Sequence, residues 1–205
     1  MFKIPPLAIT LIKAIIHLAS LSTLLYFYIL IDSNRLGADP VKEMIHFLGK
    51  TGLNYLLITL AITPLAKRFK QPLLIRLRRV LGLYSFVWIC LHLTAFIWLE
   101  LNWQVGLLIE EIIKRPYLTL GMAAWSILLL LSITSINAIR KRMKKAWFTL
   151  HRWVYVALVL GIVHYYWSVK SGLIEPSIYI GLSLLLLNER RQYFKSLYHS
   201  LFKKP

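Results

Sequence analysis

Six long blocks of apolar residues constrain the fold of this chain more than any other feature. They cover roughly residues 7–31, 44–65, 80–101, 117–138, 147–168 and 173–188. At a rise of about 1.5 Å per residue, about 20 helical residues cross a hydrocarbon core of roughly 30 Å. Four blocks are comfortably long enough; the second begins indistinctly and the sixth is short. The pattern predicts an all-α fold, a six-helix transmembrane bundle.

Outside the six apolar blocks, too few residues remain for a separate soluble domain. The chain has 205 residues, is 58% hydrophobic and has a mean hydropathy of +0.63, which is too apolar for a soluble domain. We therefore expect one membrane domain over residues 1–205. The apolar stretch after Lys3 is too long for a signal peptide and lacks an A-x-A-like site, so it is interpreted as a retained first helix.

The net charge of +17 has a one-sided distribution. Basic clusters follow the second, fourth and sixth apolar blocks, whereas the loops on the other side carry most of the acids. By the positive-inside rule, both termini lie in the cytoplasm. The charge is thus explained by orientation and contact with lipid headgroups rather than by nucleic-acid binding. A short apolar-spaced segment, 102–116, suits a helix lying on the opposite membrane surface.

Three histidines lie inside apolar blocks: His92 in the third, and His151 and His164 in the fifth. Ionisable side chains in a bilayer are costly and need a partner. Imidazoles that face each other between helices are one way in which a membrane bundle holds a haem. By helix rise, His164 lies about 28 Å above Lys145 and His151 about 9 Å, whereas His92 lies about 20 Å above Arg79. Matching depth favours His92 and His164 as the pair.

Other interpretations of the histidines stay open at this point. A single histidine in an apolar helix is usually a hydrogen-bonded packing residue. Thirteen residues correspond to a rotation of about 220°, so His151 and His164 do not share a face of an ideal helix. Either the helix is locally over- or underwound, or the two histidines address different groups. For His17, packing is favoured over a hydrogen bond to a cofactor propionate, and we interpret His46 and His199 as solvated.

Two strings and the histidines that follow them resemble a known family. Residues 78–84 read RRVLGLY and precede His92; residues 150–155 read LHRWVY and precede His164. Together they resemble the ferric reductase-like transmembrane domain, and within it the haem membrane subunits of bacterial periplasmic methionine sulfoxide reductase systems. The resemblance implies a multi-pass protein of the bacterial inner membrane with haem b and an associated FMN. It also implies electrons received from the quinone pool or a cytosolic flavin reductase and delivered to a periplasmic molybdopterin enzyme.

The same resemblance implies particular residues. His92, His151 and His164 match the family's haem-linked histidines, and Arg78 and Arg79 match a basic pair implicated in flavin binding. The wider superfamily places two histidines on the third helix, thirteen or fourteen residues apart. Counting back from His92 reaches Arg79 or Arg78 instead. We therefore expect one haem on His92 and His164, with a second haem at His151 as an open alternative.

Two other function classes are compatible with the sequence. One is a stand-alone ferric or other metal reductase, or an NADPH-oxidase-like haem protein, which would act without a protein partner. The other is a non-redox membrane protein, either a transporter or an assembly scaffold. The blocks lack the intramembrane acid–base relay and the paired broken segments of many transporters. For an electron-transfer subunit we expect no substrate catalysis of its own.

Overall fold

The computed structural model describes residues 3–169 and 172–191, and the regular structure in these ranges is helical. The all-α prediction is confirmed for this part of the chain. The helices are α1 (Pro6–Asp32), α2 (Pro40–Arg68), α3 (Arg78–Ala95), α4 (Val105–Lys114), α5 (Pro116–Ile133), α6 (Asn137–Met143), α7 (Lys145–Leu150), α8 (Val154–Ser168) and α9 (Ile174–Asn188). Two 3-10 turns, Pro72–Leu77 and His151–Trp153, precede α3 and α8, and a π-helical turn, Phe96–Glu100, extends α3.

Five helical segments of the described chain are long and apolar enough to cross a membrane. They are Pro6–Asp32, Pro40–Arg68, Pro72–Glu100, Pro116–Ile133 and Lys145–Ser168. These correspond to the first five predicted blocks. The sixth block forms α9, a shorter apolar helix of 15 residues. The chain is therefore a multi-pass membrane protein, and a sixth crossing stays a prediction.

Proline and capping residues fix where several helices begin. Pro6, Pro40 and Pro116 each stand at the first helical position, where their missing N–H removes no helical hydrogen bond. The Asp39 carboxylate also accepts a hydrogen bond from the backbone N–H of Lys42 at 3.1 Å, which caps α2. Lys144 has φ +47°, and this left-handed residue separates α6 from α7.

The centre of the bundle consists of two closely packed helix pairs, α2 with α3 and α5 with α8. In the first pair the buried Ser85 hydroxyl donates to the Gly52 carbonyl oxygen at 2.8 Å. A Cβ on Gly52 would lie 2.6 Å from the side chain of Ile89, so this close approach requires glycine. Apolar side chains of α2, α5 and α8 form the main core between the pairs.

Helix α1 packs on the outside of the bundle. Only 6% of its most apolar stretch is buried, so most of its surface faces the surroundings. Two polar contacts hold it to α3: Trp88 Nε1 donates to Ser20 Oγ at 3.0 Å, and His17 Nδ1 lies 2.6 Å from the Tyr84 hydroxyl. His17 is thus an exposed residue with a hydrogen-bond partner on α3.

The bundle has two chemically different ends. We name the basic end for the basic residues at the end of α2, the start of α3, the α6–α7 region and the end of α9; Lys67 and Arg190 there line one cavity. The opposite end contains the start of α2, the π-helical turn, the start of α5 and the end of α8, which meet around a second cavity. The predicted short helix is confirmed as α4, which precedes α5 at this opposite end.

Candidate functional site

A cavity of about 400 Å³ lies between α2, α3, α5 and α8 towards the opposite end. His92 and His164 both line it. Much of the remaining wall comes from small residues, which keep the helix backbones from filling the space: Gly49, Gly52, Ser85, Gly121, Ala124, Ala157 and Gly161. The volume falls in the range of roughly 300–1,000 Å³ typical of sites for small organic ligands.

The imidazoles of His92 and His164 face each other in this cavity. Their ring centroids are 6.1 Å apart and their planes are inclined by 78°. Nδ1 of His92 lies 2.8 Å from the Ile45 carbonyl oxygen, and Nδ1 of His164 lies 2.8 Å from that of Tyr117. Because a carbonyl only accepts, Nδ1 carries the proton in each ring, and Nε2 keeps its lone pair. This is the tautomer of a metal-binding histidine with a backbone carbonyl as its second partner.

Glycines make room for both rings. A Cβ on Gly49 would lie 2.9 Å from Nδ1 of His92, and a Cβ on Gly121 would lie 2.9 Å from Nδ1 of His164. In each helix the glycine follows the residue with the accepting carbonyl by one turn. The carbonyl residue and the histidine are 47 residues apart in both cases. The surroundings of His92 and His164 therefore share the same arrangement of a histidine, an accepting carbonyl and a glycine.

Sequence reasoning missed these supporting residues, although a signal for them was present. Gly49 precedes His92 by the same number of residues as Gly121 precedes His164. That spacing identifies Gly49 and Gly121 as partners of the two histidines.

The centroid separation of the rings is compatible with one metal ion held between their Nε2 atoms. A metal–imidazole bond of about 2.0 Å on each side, plus the distance from nitrogen to ring centre, separates two centroids by roughly 6 Å. The observed 6.1 Å agrees with this value. The donor set, two neutral imidazoles in an apolar cavity, also suits a haem iron.

Polar side chains form the rim of the cavity at the opposite end. His46 is half-buried and lines the cavity, which differs from the solvated position expected from the sequence. Lys42, Lys50 and Arg115 also contribute to the rim. Lys50 forms an ion pair of 3.1 Å with Glu175. Asp39 and Glu100 line the cavity as well, and Arg115 forms an ion pair with Glu111, so the rim carries charges of both signs.

His151 lies apart from this cavity. Its ring stacks on Trp147, with centroids 3.8 Å apart, and its Nδ1 is 3.1 Å from the Trp147 carbonyl oxygen. Nε2 lies 3.4 Å from the Ser135 hydroxyl. The 3-10 turn His151–Trp153 interrupts the helix, so ideal rotation does not apply across it. His151 contacts Trp147 and Ser135, whereas His164 contacts Tyr117 and His92, so the two histidines have different partners. His199 lies outside the described residues.

The two adjacent arginines of the RRVLGLY string separate in the structure. Arg79 is exposed, and its Nη1 donates to the Asn137 side-chain oxygen at 2.8 Å. Arg78 is half-buried, and its buried Nε has no hydrogen-bond partner among the residues described. Arg78 also lies within electrostatic reach of His151 and Arg190. Of the two, Arg78 is thus the one directed into the protein at the basic end.

These features define a helical membrane protein with two histidines of different helices brought together in one cavity. Residues 48–162 match the family model of the ferric reductase like transmembrane component. The match covers more than half of the chain, and the chain belongs to this family. The matched region contains His92 and His151 and ends just before His164. Membership indicates a transmembrane electron-transfer protein.

Proposed function

We propose that the chain binds one b-type haem through His92 and His164 and transfers electrons between the two faces of the membrane. One observation carries the proposal: two imidazoles face each other across a cavity, each with Nδ1 bound to a carbonyl and Nε2 left to bind iron. A bound haem would supply one-electron chemistry, cycling between ferric and ferrous iron.

The protein's own groups would set the properties of this site. The carbonyls of Ile45 and Tyr117 hold the ring orientations and raise the basicity of the coordinating nitrogens. The small residues in the wall leave space for a flat macrocycle, and the surrounding apolar helices exclude water. Lys42, which lines the rim, would be a candidate partner for a propionate of the haem.

One haem per chain is the expected number. The Nε2 atom of His151 lies beside the Ser135 hydroxyl, and the position thirteen residues before His92 is an arginine. A guanidinium stays protonated and has no lone pair to offer iron. A second haem at His151 would thus need a ligand of another kind.

At a finer level, we propose an MsrQ-type subunit of a bacterial inner-membrane methionine sulfoxide repair system. Electrons would enter at the basic, cytoplasmic end from the quinone pool or a cytosolic flavin reductase. They would leave at the opposite, periplasmic end to the molybdopterin reductase MsrP. Residues 1–205 would form one domain with both termini in the cytoplasm. The support is the pair of motifs before His92 and His164, together with the clustering of basic residues at one end.

We also propose an associated FMN at the basic end. A guanidinium fork suits a phosphate, and the buried Nε of Arg78 has no partner in the described chain. Arg79 contributes to the same end but already has a hydrogen bond to Asn137. Both residues belong to the proposed flavin site, with Arg78 expected to matter more.

The test is a dithionite-reduced-minus-oxidised absorption spectrum of the purified protein, with haem quantified per chain. We expect a b-type spectrum and about one haem per chain. His92→Ala and His164→Ala should each lose most of the haem because each removes an axial ligand, whereas His151→Ala should keep it. A well-folded protein without haem, or full haem retention in His92→Ala, would refute the assignment. Addition of a ferric chelate without any protein partner then separates a subunit from a stand-alone metal reductase.

A further inference from the structure

A second cavity lies at the basic end, between the C-terminal ends of α2 and α9. It measures about 280 Å³ and is separate from the histidine cavity. Three of its lining residues are cations and one is an acid. The lining consists of Thr63, Pro64, Lys67, Arg68, Glu189 and Arg190.

Two polar groups in this lining are buried without a partner in the described chain. Thr63 is only 7% exposed, and its hydroxyl has no hydrogen-bond partner within residues 3–169 and 172–191. Thr59, one turn earlier on the same helix, shows the usual arrangement, donating to the Tyr55 carbonyl oxygen at 2.7 Å. Nη2 of Arg190 is buried and unpartnered in the same way. Such groups are unfavourable unless a ligand pairs with them.

A further cation stands next to Arg190. Arg78 interacts electrostatically with both Arg190 and Tyr155. The guanidinium carbon of Arg190 is 6.0 Å from the centre of the Tyr155 ring. Both guanidinium groups have a buried N–H group without a partner among the described residues, and an anion bound at Arg190 would offset the repulsion between the two charges.

We propose that this cavity binds a phosphate group. Arg190, Lys67 and Arg68 would supply the charge, and the Thr63 hydroxyl would donate a hydrogen bond to a phosphate oxygen. Glu189 would accept from hydroxyl groups beside the phosphate, as a ribityl chain or a glycerol headgroup provides. The volume suits the phosphate-bearing part of a ligand rather than a whole flavin.

Two sources share this chemistry: the phosphate of FMN and the headgroup of an anionic phospholipid. The site does not depend on the haem proposal, because none of its residues lines the histidine cavity. An FMN bound here would place the phosphate of the proposed flavin, whereas a bound headgroup would make the cavity a lipid site.

The chain offers a closely matched control for the test. Arg190→Gln removes the partly buried cation, and Arg191→Gln removes the same charge from its exposed neighbour, which does not line the cavity. Thr63→Val keeps the side-chain shape and removes only the hydroxyl. Each full-length variant is compared with the parent for thermal unfolding and haem content, so that a folding defect is separated from a binding defect.

Binding is measured with two probes. FMN is titrated by fluorescence anisotropy, with inorganic phosphate as competitor. Phospholipid retention is measured by native mass spectrometry from phosphatidylcholine nanodiscs with and without phosphatidylglycerol. We expect Arg190→Gln to weaken one probe at least about 10-fold, the size of a lost charge-assisted hydrogen bond. Thr63→Val should weaken the same probe several-fold, and Arg191→Gln should leave it unchanged.

The affected probe identifies the source. Loss of FMN binding, with competition by phosphate in the parent, assigns the site to the flavin. Loss of phosphatidylglycerol retention alone assigns it to a lipid headgroup. Unchanged binding of both probes in Arg190→Gln overturns the proposal. An equal loss in Arg191→Gln also overturns it, because general surface charge would then account for the binding.

Discussion

Gly121→Ala tests whether the shape of the backbone beside His164 is what prepares the imidazole to bind iron. The added Cβ would lie 2.9 Å from Nδ1 and 3.0 Å from Cε1, whereas ordinary contacts begin at 3.4 Å. The ring must therefore move by roughly half an ångström in a packed interior. That shift weakens its 2.8 Å hydrogen bond to the Tyr117 carbonyl. Loss of such a bond to a buried group costs about 1–3 kcal/mol.

Helix propensity acts in the other direction. Alanine is favoured over glycine inside a helix by about 0.8–1.0 kcal/mol, so the stability of the haem-free protein should change little. The effect on haem should be larger, because loss of a partner behind a metal ligand typically weakens binding about 10–100-fold. That factor corresponds to about 1.4–2.7 kcal/mol, in line with the cost of the hydrogen bond.

The assay is haem titration of the haem-free protein, followed by absorption and by electron paramagnetic resonance of the ferric state. Gly49→Ala should give a similar loss, because its Cβ meets His92 at the same distance. Gly181→Ala is the control, since its Cβ meets nothing within 4 Å and it lies on α9, away from the cavity. Wild-type haem affinity and an unchanged spectrum in Gly121→Ala would show that the ring does not depend on this contact.

Three further outcomes follow from the contacts described. Arg78→Ala combined with Arg79→Ala should spare haem but lower the FMN content of the purified protein, and Arg78→Ala alone should account for most of the loss; unchanged flavin fluorescence would leave both residues as topology signals. Trp88→Phe removes the donor to Ser20 and should lower the free energy of unfolding by about 1–2 kcal/mol, measurable by thermal denaturation in detergent. Glu110→Gln breaks an exposed ion pair on α4 and should change that stability by at most about 0.5 kcal/mol; a larger effect would indicate that α4 is not exposed in this way.

Hydropathy predicted the membrane segments well because crossing a bilayer requires length and apolarity, which a sequence displays directly. The first five blocks became spans of the expected order. The sixth block was recognised as short and forms a 15-residue helix. The local changes of helix type were not predictable in this way. The 3-10 turn at His151 depends on how α7 and α8 pack, which no run of apolar residues encodes.

The histidine pair was predictable from depth, whereas its supports were not predicted. Helix rise placed His92 nearer in depth to His164 than to His151, and the structure brings the ring centroids of His92 and His164 to 6.1 Å. Their hydrogen-bond partners are backbone carbonyls, which every residue has, so side-chain identity gives no hint of Ile45 or Tyr117. The different environments of Arg78 and Arg79 have a simpler origin. Consecutive side chains on a helix point about 100° apart, so the Arg78 side chain is half-buried and the Arg79 side chain is exposed.

The contrast between the two ends of the bundle supports the proposal of one haem rather than two. At the opposite end, both halves of the chain provide a carbonyl, a glycine and a histidine in the same order. At the basic end, thirteen residues earlier, one half provides His151 and the other provides Arg79, which is bound to Asn137. An imidazole and a guanidinium cannot both coordinate iron, but the cations that replace the missing ligand favour an anionic group. The thirteen residues from Arg79 to His92 span about 20 Å of helix rise, so an electron donor docked at the basic end would be far from a haem on His92 and His164. The proposed flavin near Arg78 would shorten that gap, and the cationic end would then serve the entry of electrons towards the proposed haem.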